Sequence, residues 1–276
     1  MKQNIKKKNK STLPACIPKK VSQAGYVKKT YLPSHIEAPY ASTKQIIADL
    51  ENAGFEVLAT TPLDKSATLH AITFTSTTLK EMASKDTRGF IGVMKVLVDD
   101  KNKFVNMTNP LYFAKAYMQK DFDKSGALEV LDALNEAFEG LKDSRDIQAF
   151  DDLVNFHFMV SMPYYKEMLI VGKGDNKELL AKAQQSGKIL FSLSLPSGGT
   201  LLGFNLSKRT GKFITKIGLK NAGVLPYLIM IEKGEAKVLD PKYDIALHYP
   251  ELSMNTFSSI ATAPGAIVKE AEKMFK

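Results

Sequence analysis

Val224-Leu225-Pro226-Tyr227-Leu228-Ile229-Met230-Ile231-Glu232-Lys233-Gly234-Glu235-Ala236-Lys237-Val238-Leu239-Asp240-Pro241 is an apolar run, a Lys-Gly turn and a second short run that stops at Asp-Pro. Two strand-forming runs joined by a short glycine turn predict a β-hairpin. The chain writes the same pattern earlier, as Val93-Met94-Lys95-Val96-Leu97-Val98-Asp99-Asp100-Lys101-Asn102-Lys103-Phe104-Val105-Asn106-Met107-Thr108-Asn109-Pro110. Asp99 and Glu232 stand 133 residues apart, as do Val105 and Val238. The expected organisation is therefore two copies of one unit.

The segments upstream of each hairpin extend the match. Ser42 with Gln45 predicts a capped helix whose face is Ile46, Ile47 and Leu50 and whose stop is Gly54. Asp175 with Glu178, then Leu179, Leu180, Ala183 and Gly187, repeats that order. Other expected elements are an edge strand within 26–40 and strands at 55–59, 69–74, 156–162, 167–171, 189–195 and 200–206. Helices are expected at 77–85, from Leu111, at 125–141 and at 254–275. The charged stretch 143–152 is the expected boundary. It gives a tail over 1–24, a first unit over 25–150 and a second over 151–276.

Charge is unevenly placed. Residues 1–30 hold nine of the 38 basic residues and no acid, which leaves 29 basic against 29 acidic residues in the rest. The lysine-rich start has no apolar face, so it is expected to be disordered and to carry any salt-sensitive binding to nucleic acid or an anionic surface. The neutral remainder argues against nucleic acid as the partner of the folded body. A single cysteine, Cys16, excludes an intramolecular disulfide and multi-cysteine metal sites. No apolar run approaches the roughly 18 residues of a membrane-spanning helix. The basic start lacks the apolar core of a signal peptide, which favours the cytoplasm. The alternative is a bacterial cell-envelope lipoprotein attached through Cys16.

Several short segments carry a further signal: Ala53-Gly54-Phe55-Glu56-Val57-Leu58, the hairpin ending in Asn109-Pro110, Leu202-Gly203-Phe204-Asn205, Leu225-Pro226-Tyr227 and the hairpin ending in Asp240-Pro241. With them, each half resembles the family catalogued as domain of unknown function 302, over residues 35–275. The resemblance implies an α+β unit, a curved antiparallel sheet with helices packed on one side, and brings no established activity. Phe204 and Tyr227 stand where that family carries cysteines, and proline is missing after Asn205. Thiol or soft-metal chemistry is therefore not expected.

Chemistry-bearing motifs are few. His35, His70, His157 and His248 lack a second ligand at metal spacing, so structural or surface roles are expected. Ser197-Gly198-Gly199-Thr200 could cradle a phosphate, but it lies between two strands and reads better as a turn. Asp99-Asp100-Lys101-Asn102 falls short of a calcium loop. Seryl nucleophile and dinucleotide fingerprints are absent.

The fold expected is α+β, two similar units forming a pseudo-two-fold dimer within one chain, so that a monomer suffices. The function expected is non-catalytic binding of a small molecule or protein, without cofactor, on the sheet face or in the groove between units. Candidate contacts are Asn109, Pro110, Tyr112, Phe113, His157, Asn205, Pro226, Tyr227, Asp240, Tyr243 and His248. An enzyme using carboxylate and histidine chemistry is the first alternative, marked by His157 or His248 gathered with two acids in a pocket. A binder of nucleic acid or anionic surfaces through the tail is the second.

Overall fold

Ser42 accepts a hydrogen bond from the Gln45 amide, and Gly54 leaves the first helix at φ +86°. Asp175 and Gly187 (φ +65°) bound the matching helix of the second half. Local chemistry thus starts and stops both helices where the sequence predicts. The computed structural model describes residues 23–28 and 30–276. The first half runs β1 (Tyr31–Pro33), β2 (His35–Ala38), α1 (Thr43–Asn52), β3 (Glu56–Pro62), β4 (Leu69–Thr75), α2 (Thr77–Met82), β5 (Met94–Asp99), β6 (Phe104–Thr108), α3 (Pro110–Met118), α4 (Lys124–Ala137), β7 (Lys142–Asp143) and β8 (Ile147–Ala149). The second runs β9 (Leu169–Lys173), α5 (Asn176–Gln185), β10 (Ile189–Ser194), β11 (Thr200–Phe204), α6 (Lys208–Gly211), α7 (Phe213–Ile217), β12 (Tyr227–Glu232), β13 (Glu235–Val238), α8 (Pro241–His248), α9 (Met254–Ser259) and α10 (Ala263–Lys273).

The fold is α+β. One sheet has six strands in the order β3-β4-β5-β6-β2-β7, the other five in the order β10-β11-β12-β13-β9. All pairings are antiparallel, and β1 with β8 forms a separate two-stranded ribbon. Setting β7 aside, the two sheets follow one chain order: first strand inserted beside the fifth, then helix, hairpin, short helical crossover, hairpin.

The central hairpins differ at their turns. Asp99 pairs with Phe104, whereas Glu232 pairs with Glu235. Lys233 and Gly234 both have positive φ, +51° and +77°, as a two-residue type I′ turn requires. The first turn is two residues longer, and the Asp99 carboxylate ties it by accepting from the Lys101 and Asn102 amides. Counted from the turn, Val105 corresponds to Ala236, because Val98 pairs with Val105 and Ile231 with Ala236. The uniform spacing of 133 therefore fails beyond the turn. Asn109-Pro110 and Asp240-Pro241, which start α3 and α8, follow the shorter spacing.

Four further expectations are corrected. Residues 156–162 form no strand. Phe156 and Phe158 anchor a loop by packing on Tyr243 and Phe257, while Val160 is 83% exposed. The closing helix is two helices, since Pro264 sits in the first turn of α10, where its missing N–H costs nothing. The edge strand expected within 26–40 is two strands: β1 pairs with β8 in the ribbon, whereas β2 lies between β6 and β7 and is no edge. The body begins before residue 25: Ala24 is buried, and its carbonyl accepts from Asn135 Nδ2 at 3.0 Å. Cys16 and the expected disordered tail lie outside the described residues apart from its last two positions. Among the described residues no helix is long and apolar enough to cross a membrane.

One continuous apolar core joins the halves. The 3-10 turn Gly89–Gly92 packs on β11 and β12, and the 3-10 turn Leu219–Val224 packs on β5 and β6. Each half thus inserts its turn against the other's sheet. Gly89 permits that approach: a Cβ there would lie 2.7 Å from Met230 Sδ and 2.9 Å from Leu195 Cδ1.

Candidate functional site

Two places at the junction of the halves gather chemistry. The first is buried. Lys95 faces inward from β5, and its Nζ donates to the Val224 carbonyl at 2.6 Å. On α8, Asp244 and His248 lie one turn apart, with His248 Nε2 3.8 Å from Asp244 Oδ1. The Tyr117 hydroxyl donates to the same Oδ1 at 2.9 Å. His248 Nδ1 meets His35 Nε2 at 3.3 Å, and His35 Nδ1 meets Ser34 Oγ at 2.9 Å.

The proton positions along this chain follow from one bond. Ser34 Oγ donates its only proton to the His248 carbonyl, at 2.9 Å. It must therefore accept from His35 Nδ1–H. A neutral His35 then has a bare Nε2, so His248 Nδ1–H is the donor between the two rings. Burial, and secondarily Lys95, lowers the His35 pKa to about 3, and His248 moves well down for the same reasons. Burial lowers Lys95 to about 8 against the pull of Asp244, whose own pKa burial raises. At neutral pH the rings are uncharged and Lys95 keeps its proton.

This cluster is sealed. Lys95, Asp244, His248, His35 and Tyr117 are each at most 6% exposed. Phe113 and Tyr249 cover the imidazoles, the Tyr249 ring stacked on His35 at 5.1 Å and 4°. His248 does gather with one acid, Asp244, but both are buried and neither lines the open groove described next. The group acts as a polar fastener across the junction, joining β2, β5 and α3 of the first half to α8 and the Val224 carbonyl of the second.

The second place is open: a groove of about 570 Å³ lined by both halves. One wall is the end of β3 and the turn after it, residues 61–65. The other is formed by the end of β11 and the residues after it, 204–207, by α6 and α7, and by Leu219, Leu225 and Pro226. Leu225-Pro226 is a cis peptide. Pro62, Leu63, Leu206, Ile214, Leu219 and Leu225 make the lining largely apolar. Its one carboxylate, Asp64, is saturated by Ser66 Oγ, Thr68 Oγ1 and the Thr68 and Leu69 amides at 2.7–3.1 Å. Burial raises its pKa, but those bonds outweigh it and bring the value to about 2. Lys65, Lys208 and Lys212 stand exposed around the rim, and none is ion-paired among the described residues.

A further depression of about 670 Å³ lies on the second half, between α6–α7 and α9–α10, with Arg209, Lys216, Lys269 and Lys273 around it. Its Glu270 is occupied by Ser207 and Thr210. The neutral total thus conceals a basic face. The signal was present in the sequence: no acid lies between Glu178 and Glu232, a span holding seven Lys and Arg. Among the described residues no three His, Cys, Asp or Glu side chains could together hold a metal.

The expected contact residues do not gather in one place. Asn205 and Pro226 line the groove. Tyr112, Phe113, Tyr227 and Tyr243 do not: each is buried in the core, because the junction between the halves closes over them. Asn109 is also buried. It caps α3 and donates Nδ2 to the carbonyls of Gly25 and Pro33, and Pro110 occupies the first turn of that helix. Asp240 caps α8 through the Lys242 amide. His157 sits on the surface loop against Tyr164, 122 positions from His35 in sequence and no part of its cluster. His248 belongs to the sealed fastener. Sequence reasoning missed Lys95, Asp244, Tyr117 and His35 as a group. The available signal was a lone lysine in the apolar run 93–98. No protein-family model, no curated protein and no solved structure matches this chain.

Proposed function

We propose that the chain is a duplicated α+β unit, its copies related by an approximate two-fold axis, and that it binds a small ligand non-catalytically in the groove between them. The shared strand order of the two sheets, the reciprocal packing of the two 3-10 turns and the resemblance to the domain of unknown function 302 family favour duplication. The observation that carries the binding reading is the groove itself: about 570 Å³, apolar, and lined by both halves. That volume falls in the range of sites for small molecules, roughly 300–1,000 Å³. A catalytic reading has less support, because the His35–His248–Asp244 group is buried and the one carboxylate at the groove, Asp64, already accepts four hydrogen bonds.

Methyl-resolved NMR of the full chain tests this. Ten-carbon probes, neutral or charged, should give saturable shifts at the methyls of Leu63, Ile214, Leu219 and Leu225. Leu63→Trp, which fills the groove from one wall, should abolish them. If no probe gives saturable shifts there, the groove is not a ligand site.

A further inference from the structure

We infer that the occupant of the groove is an amphipathic anion, an acidic head on a short apolar body. The inference rests on the binding reading above and adds the chemical class. The lining supplies the apolar half of the recognition. The rim supplies the charge, and it is one-sided: Lys65 comes from the first half, Lys208 and Lys212 from the second, and all three are exposed and unpaired among the described residues. The only carboxylate in the lining, Asp64, already accepts four hydrogen bonds, so it neither neutralises these lysines nor offers a cation a site. Ser207 is likewise committed to Glu270.

A neutral apolar molecule would fill the groove but leave the three rim lysines without a counter-charge. An anionic head supplies that counter-charge while the tail excludes water from the leucine and isoleucine side chains. The chain's own lysine-rich first residues carry the wrong sign to be the occupant. Lysine at the rim also suits a ligand that is exchanged, since flexible ammonium groups hold a head without enclosing it.

Calorimetric titration of the full chain with decanoate, decanol and decyltrimethylammonium tests the class. At low salt decanoate should bind about tenfold tighter than decanol, with the gap closing as salt rises. The cation should bind most weakly. In Lys65→Gln/Lys208→Gln/Lys212→Gln, decanoate should fall to within about twofold of decanol, and decanol should be unchanged. Equal binding of decanoate and decanol by the unmodified chain would overturn the anion while leaving the groove as a ligand site. A preference that survives in the triple variant would place the anion contact elsewhere and would equally overturn the assignment. Failure of all three probes would remove the groove reading together with it.

Discussion

Lys95 shows how a single residue ties the two halves together. Five of its neighbours on β5 are apolar or paired within the sheet, yet its ammonium leaves the strand to reach a carbonyl of the opposite half. A buried charge of this kind adds little net stability but is costly to orphan, so it favours one docking arrangement over others. The same burial makes the imidazoles pH-sensitive. His35 has a pKa of about 3 in the fold against about 6.5 unfolded, and His248 is shifted in the same direction. Between those values the unfolded chain takes up a proton that the native chain does not. Stability is therefore full above about pH 6.5 and is lost as pH falls toward 3, by up to about 1.4 kcal/mol per pH unit for each histidine. Asp244, whose pKa is raised, works in the opposite sense and offsets part of the loss. Denaturant titrations from pH 7 to 4 should show this decline, and His35→Gln should flatten it by up to about 1.4 kcal/mol per pH unit, whatever its stability at pH 7. An unchanged slope in the variant would mean that His35 is not held neutral.

At the scale of elements, most of the fold was legible, because capping and turn chemistry are local. Ser42, Asp175, Gly54, Gly187 and Lys233-Gly234 each act through their own backbone, and each stands where the pattern placed it. The misreadings have a common cause. Phe156–Met162 has the composition of a strand but finds no sheet edge, and its aromatic rings pack as anchors instead. The tyrosines expected in the groove are consumed by the junction, which no local pattern encodes. The groove was illegible for the same reason: its walls are the ends of β3 and β11, brought together only by tertiary packing, and Asn205 and Pro226 were the sole lining residues singled out. The two proline-started helices test how far equivalent elements share energetics. Asn109→Ala removes a cap and also orphans the buried carbonyls of Gly25 and Pro33, so it should cost about 2–4 kcal/mol. Asp240→Ala removes only an exposed cap and should cost about 1 kcal/mol. Equal losses in denaturant unfolding would show that the Asn109 side-chain bonds to the first half contribute nothing.

For the whole molecule, the central proposition is that two α+β halves form one body and that the groove exists because they do. The core is continuous across the junction, each 3-10 turn is lodged on the other half's sheet, and the Lys95–Asp244–His248–His35 fastener is shared. Thr87 and Glu232 add a further tie, the Thr87 amide donating to that carboxylate at 3.1 Å. Because the groove walls belong to different halves, independent opening of either would destroy the groove. Native-state hydrogen exchange on the full chain measures this directly, through the amides of Val96 and Val98 in β5 and of Ile229 and Ile231 in β12. If the halves are one cooperative body, these amides should exchange at one common free energy, with the same denaturant dependence. Exchange of one strand's amides at a free energy lower by more than about 2 kcal/mol, with a smaller denaturant slope, would show that the halves unfold separately and would contradict it.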